Sequence, residues 1–319
     1  MNLIFNKIFL EHDTGMHPEN AKRFDYLKDL KETNLENGER YLELIYSKKY
    51  INLIREASKH SMALDPDTVT CQKTYEVACY AVGASIQASE KGDFALLRPP
   101  GHHATADRAM GFCVFNNMAI AAQNLVNKGK KVFILDFDCH YGNGTSEIFY
   151  NADKVLYLST HQFPFYPGNG FVDEIGSGKG KGFNIPIPLP AGTGDDVYLE
   201  AINFFIPIIK EQFKPDIVAV SAGFDAHHAD PLGGLNFSLN AYYETGKLLK
   251  ENFKNIFATL EGGYDAEWLA KCIFNFNHGV NNEKLEFKEP FTHSSEHVKG
   301  EFDCNLEKLK ANLKSYWAF

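Results

Sequence analysis

The sequence predicts an α/β fold, a single open and mostly parallel β-sheet flanked by helices. Three observations carry this expectation. Five short apolar runs are continuous rather than alternating, as strands are when both sheet faces are covered: FALLRP (94–99), KVFILDFD (131–138), VLYLST (155–160), IVAVSAGFD (217–225) and NIFATLEGG (255–263). Apolar residues at helical spacing fill the stretches between them. Each run ends in or leads into polar residues, and in open α/β sheets functional groups gather beyond the carboxyl ends of strands.

The chain opens with a helical segment. MNLIFNKIFLEHD lacks a long apolar stretch followed by a small-residue cleavage site. TYEVACYAVGASIQASEKG (74–92) is a helix closed by Gly92, and NNMAIAAQNLVNKG (116–129) is a second. YLEAINFFIPIIKEQF (198–213) is a third, with a kink expected at Pro207, and YYETGKLLKENF (242–253) a fourth. A last helix is expected over about 305–317. With no repeat, low-complexity linker or shift in composition, one domain spanning 1–319 is expected.

The formal charge of −9 argues against non-specific binding of nucleic acid and leaves room for a basic substrate such as a lysine side chain or a polyamine. Six cysteines without CxxC spacing suit reduced thiols in the cytoplasm. No apolar stretch approaches membrane-spanning length. The oligomeric state is not legible.

The chemistry begins at RPPGHH (98–103). Neighbouring residues on a regular element point in different directions, so His102 and His103 meet at one site only where the backbone is irregular. Pro99, Pro100 and Gly101 supply that irregularity. DFDCH supplies Asp136, Asp138 and His140 on one alternating face, with Cys139 on the other. Alone this triplet also fits a helix cap. Asp225 closes an apolar strand, where an uncompensated carboxylate is costly. Asp138, His140 and Asp225 together make a three-ligand set with an open position, as catalytic zinc has. Ligand type leaves Fe2+ or Co2+ as alternatives. His227 and His228 are expected at the rim or in a loop.

RPPGHHA, GFCVFNN, DFDCHYGNGT, LSTHQFPFYPGNG, SAGFDAHHADPLGG and LEGGY occur in the order found in zinc-dependent histone deacetylases and acetylpolyamine amidohydrolases, and HPENAKR (17–23) resembles that family's opening motif. The resemblance covers about residues 10 to 280. It implies an arginase–deacetylase fold and hydrolysis of an acyl-lysine amide by metal-activated water, with an acetylated polyamine as the alternative substrate. It implies zinc on Asp138, His140 and Asp225, His103 as general base, and His102 oriented by Asp136. Asn143, where some members have Asp, falls at the partner of His103, and Tyr264 at the carbonyl-binding tyrosine. Gly111, Phe112 and Tyr166 fall in the substrate channel and Leu232 at a neutral mouth, although Asp65 or Asp67 could supply charge there. Ser159 and Thr160 join Asp136, Asp138 and His140 in a K+ or Na+ site. Arg23 matches an arginine near a product-release cavity. A two-manganese, arginase-like centre is disfavoured because Gly142 and His227 stand where extra aspartates would be needed. A catalytically inert binder of acylated tails would lack one of these groups, and none is missing.

Overall fold

The computed structural model describes residues 1–319. Seven strands form one sheet: β1 (Leu3–Ile4), β2 (Phe94–Ala95), β3 (Val132–Asp136), β4 (Val155–Gln162), β5 (Asn184–Leu189), β6 (Ile217–Ala222) and β7 (Ile256–Leu260). Their order is β1-β2-β7-β6-β3-β4-β5 and every pairing is parallel. All carboxyl ends therefore share one edge. The central strands β3 and β7 are fully buried and apolar apart from Asp136 and Thr259, because helices cover both faces.

Eight helices flank the sheet: α1 (Lys48–Lys59), α2 (Thr74–Lys91), α3 (Asn117–Asn127), α4 (Asn143–Phe149), α5 (Asp195–Gln212), α6 (Leu239–Asn252), α7 (Ala266–Asn281) and α8 (Glu296–Leu313). Their ends follow local chemistry. Gly92 closes α2 at φ 73°, its N–H donated to the Ala88 carbonyl. The Asn116 side chain accepts the Ala119 N–H at the start of α3. Ser238 and Asp265 cap α6 and α7 in the same way. No helix is long and apolar enough to cross a membrane.

Three expectations are revised and one strand is added. FALLRP pairs only over Phe94–Ala95. Pro99 and Pro100 have no N–H to continue the ladder, and the chain leaves the sheet before them. NIPIPL is a strand despite Pro186 and Pro188, because β5 is an edge strand paired with β4 alone. The helix α5 begins at Asp195 and runs through Pro207. The last helix spans Glu296–Leu313 rather than 305–317: Ser295 caps it, and Val298, Phe302, Leu306, Leu309 and Leu313 form its buried stripe. Trp317 lies beyond it, donating its indole N–H to the Gly182 carbonyl at 2.8 Å.

Candidate active site

RPPGHH, DFDCH, AGFDAHH and LEGGY all meet at the carboxyl edge of the sheet, after β2, β3, β6 and β7. Strand pairing of DFDCH stops at Asp136, so alternation along a strand is not what unites Asp138 and His140. Past the strand, Asp138 Oδ1 accepts the His140 main-chain N–H at 2.9 Å and folds the segment on itself. His140 Nδ1 then lies 3.1 Å from Asp138 Oδ1 and 3.0 Å from Asp225 Oδ2. The second oxygen of each carboxylate is held by the main chain: Asp138 Oδ2 accepts from Gly262 N (2.8 Å) and Asp225 Oδ1 from Cys139 N (2.8 Å).

Asp138, His140 and Asp225 offer one ligand atom each, all within 4.8 Å of one another. Two buried carboxylates this close repel, and desolvation together with the charge of Asp138 raises the Asp225 carboxyl. A divalent cation is the group that would offset this cost, so the donor set fits a metal. The floor of the site is bare backbone: a Cβ at Gly223 or Gly262 would overlap the Asp138 carboxylate. Cys139 is buried with its Sγ toward Gln162, away from this cluster.

His227, His228 and Glu289 form a second group of similar span. There, however, His227 Nδ1 accepts the Ala229 N–H at 3.2 Å, so its Nε2 carries the proton and donates to Glu289 at 3.1 Å. A protonated Nε2 is not a ligand. His227 stacks on Trp268, and the two histidines together tie down the segment bearing Glu289.

The tandem histidines lie beside the three-donor cluster, ring centroids 4.1 Å apart. His102 Nδ1 is 3.1 Å from Asp136 Oδ2, which also accepts the Tyr157 hydroxyl at 2.8 Å. Burial disfavours the His102 cation, but Asp138 and Asp136 outweigh it and raise the group to about 10. His103 Nδ1 is 2.8 Å from Asn143 Oδ1. The N–H therefore sits on Nδ1 and Nε2 is the basic nitrogen. Burial, then the neighbouring His102 and His140 rings, hold His103 well below its ordinary value.

A cavity of about 220 Å³ opens onto these groups, lined by Asp67, His103, Gly111, Phe112, His140, Tyr166 and Tyr264. Phe112 adopts φ 71°, rare for an aromatic residue. It is held there by its N–H on Thr68 Oγ1 (3.1 Å) and by edge contacts with His17 and Tyr264. Gly111 packs so close to His103 that a Cβ would fall 2.5 Å from the imidazole. Tyr166, 41% exposed, stands at the mouth with its ring edge-on to His103. Leu232 is not among the lining residues, whereas the acidic Asp67 is. Ser159 is the register partner of Asp136 across β3 and β4, with Thr160 next to it, and the buried Thr160 hydroxyl has no protein partner. A larger cleft of about 320 Å³ at the opposite sheet edge holds no histidine and a single carboxylate, Glu90.

The model of the histone deacetylase domain matches residues 17–280. The chain belongs to the histone deacetylase family. Its sheet and flanking helices are the family's arginase–deacetylase fold: the crystal structure of the HDA15 HD domain superposes with a TM-score of 0.88 at 27% identity, covering 99% of this chain and 97% of that one. A probable deacetylase of Archaeoglobus fulgidus is 35% identical over 98% of this chain and 95% of its own length. A probable deacetylase of Methanothermobacter thermautotrophicus is 45% identical over 70% of each chain. The chloroplastic histone deacetylase 10 of Oryza sativa is 37% identical over 86% of this chain and 68% of its own length.

Glu261, Tyr157, Glu19 and Arg98, to which the sequence assigned no role, surround this family member's site together with Arg23, which it did name. Glu261 and Tyr157 contact the tandem-histidine segment and Asp136. Arg23 is buried: its Nε donates to the Gly263 carbonyl and Nη2 to the Glu261 carbonyl, both at 2.6 Å, and its guanidinium lies over the Tyr264 ring. Glu19 joins Arg23 to Arg98, just before the proline pair. The sequence signal for this network was the motif HPENAKR, which holds Glu19 and Arg23.

Proposed function

We propose that this chain is a zinc-dependent deacylase that hydrolyses the amide of an acylated lysine side chain, acetyl-lysine above all, with Fe2+ or Co2+ as substitute ions. Relatives named as deacetylases support the reaction class. The observation that carries the proposal is that His140 of the three-donor cluster and His103 line one cavity together with Phe112, Tyr166 and Tyr264. A divalent ion held by Asp138, His140 and Asp225 would polarise the amide carbonyl and make an adjacent water more acidic.

The chain's own residues do the rest. His103, neutral and with Nε2 free, takes the proton from water and returns it to the departing amine nitrogen. Asn143 fixes its tautomer. His102, protonated and paired to Asp136, supplies positive charge beside the developing oxyanion. Burial pushes the Tyr264 hydroxyl well above its ordinary value, so it stays protonated and donates to that oxyanion. Phe112 and Tyr166 offer apolar faces to the alkyl chain. Asp136, Asp138, His140, Ser159 and Thr160 would hold a structural K+ or Na+, and the unpartnered Thr160 hydroxyl supports a polar guest there. Six unpaired cysteines suit a reducing compartment such as the cytoplasm.

One observation favours a second substrate. Asp67 at the cavity would pair with a free ammonium, as an acetylpolyamine carries. The test is to load the protein with Zn2+ and compare acetyl-lysine peptides, longer acyl-lysine peptides, N-acetylputrescine and acetylspermidine. The highest kcat/KM is expected on acetyl-lysine peptides. Preference for acetylpolyamines would instead assign Asp67 to amine recognition.

A further inference from the structure

We infer that Glu261 is a positioning residue, which fixes the tandem histidines by holding their backbone. The inference builds on the proposed role of His103. Glu261 is fully buried at the end of β7. Its Oε2 accepts the N–H of Gly101 at 2.7 Å and of His102 at 3.1 Å, and its Oε1 accepts the Ser221 hydroxyl at 3.1 Å. Three donors face it, the arrangement an ionised carboxylate satisfies as an acceptor.

RPPGHH needs such an anchor. Sheet pairing ends at Ala95, and two prolines offer no N–H. The Gly101 and His102 carbonyls are taken by Ala104 N and Thr145 N, but their N–H groups reach only the Glu261 side chain. The anchor is itself rigid. The Glu261 N–H donates to the Ala222 carbonyl at 2.9 Å, and its carbonyl accepts from Arg23 Nη2 at 2.6 Å. The next residue, Gly262, donates to Asp138 Oδ2, and Tyr264 follows two residues on. One side chain thus sets the position of His102 and His103 against both the metal-binding carboxylate and the tyrosine.

The test compares wild type with Glu261→Gln, Glu261→Asp and Glu261→Ala, all Zn2+-loaded. Gln keeps the reach and, once the Ser221 hydroxyl turns, can make all three bonds without the charge. Asp keeps the charge but not the reach. The first readout is amide hydrogen exchange at Gly101 and His102 by NMR, which needs no turnover. The second is kcat and KM on an acetyl-lysine peptide, with metal content measured in parallel.

Asp and Ala should speed exchange at both amides and lower kcat by about 10²-fold, the order of loss for a displacement of about 1 Å, with KM and metal content held. Gln should keep both amides protected and kcat within about tenfold of wild type, the difference between a charged and a neutral acceptor. Unchanged exchange in the Asp variant overturns the inference. So does a Gln variant as slow as Ala, which would assign the effect to charge, or a loss confined to KM. If Ala does not fold, the Gln and Asp pair decides. If wild type turns over no acyl-lysine, the proposed function fails while the exchange data still decide whether Glu261 tethers the loop.

Discussion

In the proposed reaction the chemistry concentrates in one hydrogen bond, that between His103 Nδ1 and Asn143 Oδ1. Removing the base in His103→Ala should lower kcat by about 10² to 10⁴-fold while zinc content and KM stay near wild type; turnover at the wild-type rate would refute the base assignment. Asn143→Asp puts a negative charge where a neutral amide now accepts from Nδ1. That charge stabilises the imidazolium and raises the His103 pKa. With neutral His103 as the proposed base, the acid limb of the kcat/KM–pH profile should move to higher pH, and a shift the other way would contradict the protonation scheme. At this scale the sequence pointed to His102, Asp138 and Tyr264, and the fold brings all three to the carboxyl edge of the sheet. Glu261 went unnoticed because nothing in LEGGY says that a strand-end glutamate turns inward toward a loop 160 residues away in sequence.

Elements decide how well these groups are held. Asn116 caps α3, and its amide also donates to the Ala104 carbonyl (3.2 Å) and Thr145 Oγ1 (3.0 Å), joining the histidine loop to α4. Asn116→Ala should therefore cost more than the ~1 kcal/mol of an ordinary cap, read as a lower urea midpoint at constant slope. A loss of only that size would mean the two buried bonds contribute little. The helices α2, α3, α5 and α6 were legible because their caps and apolar spacing are local signals, whereas α1 and α7 were not singled out. The strand β5 was not, because its prolines contradict a strand unless one knows that it lies at an edge. Only two residues of β1 pair, too few for any pattern, and the register that recruits them comes from β2.

Across the whole molecule, buried charge bears on stability. Burial alone would raise the Glu19 carboxyl, but Arg98 and Arg23 outweigh it and hold it at about 2, against 4.5 for a free glutamate. A depressed folded-state value contributes stability that is fully present above 4.5 and is lost as pH falls toward 2. Wild type should lose stability across that window, and Glu19→Gln, though less stable at neutral pH, should lose less there; parallel acid profiles would show that Glu19 does not drive the transition. Chelation should abolish turnover and lower Tm, with Zn2+ restoring both, because a ligand bound only by the folded state stabilises it by mass action. An unmoved Tm would place the metal contribution outside folding.

The parallel sheet also gives the molecule a reactive side and a silent one. Lys154, Lys214 and Lys254 sit just ahead of β4, β6 and β7, at the strand ends farthest from His103. A fluorophore, surface linker or fused partner attached there would hang from the back of the enzyme and leave its doorway clear. The orientation of the strands thus indicates where this protein can be handled for engineering without touching the place where it works.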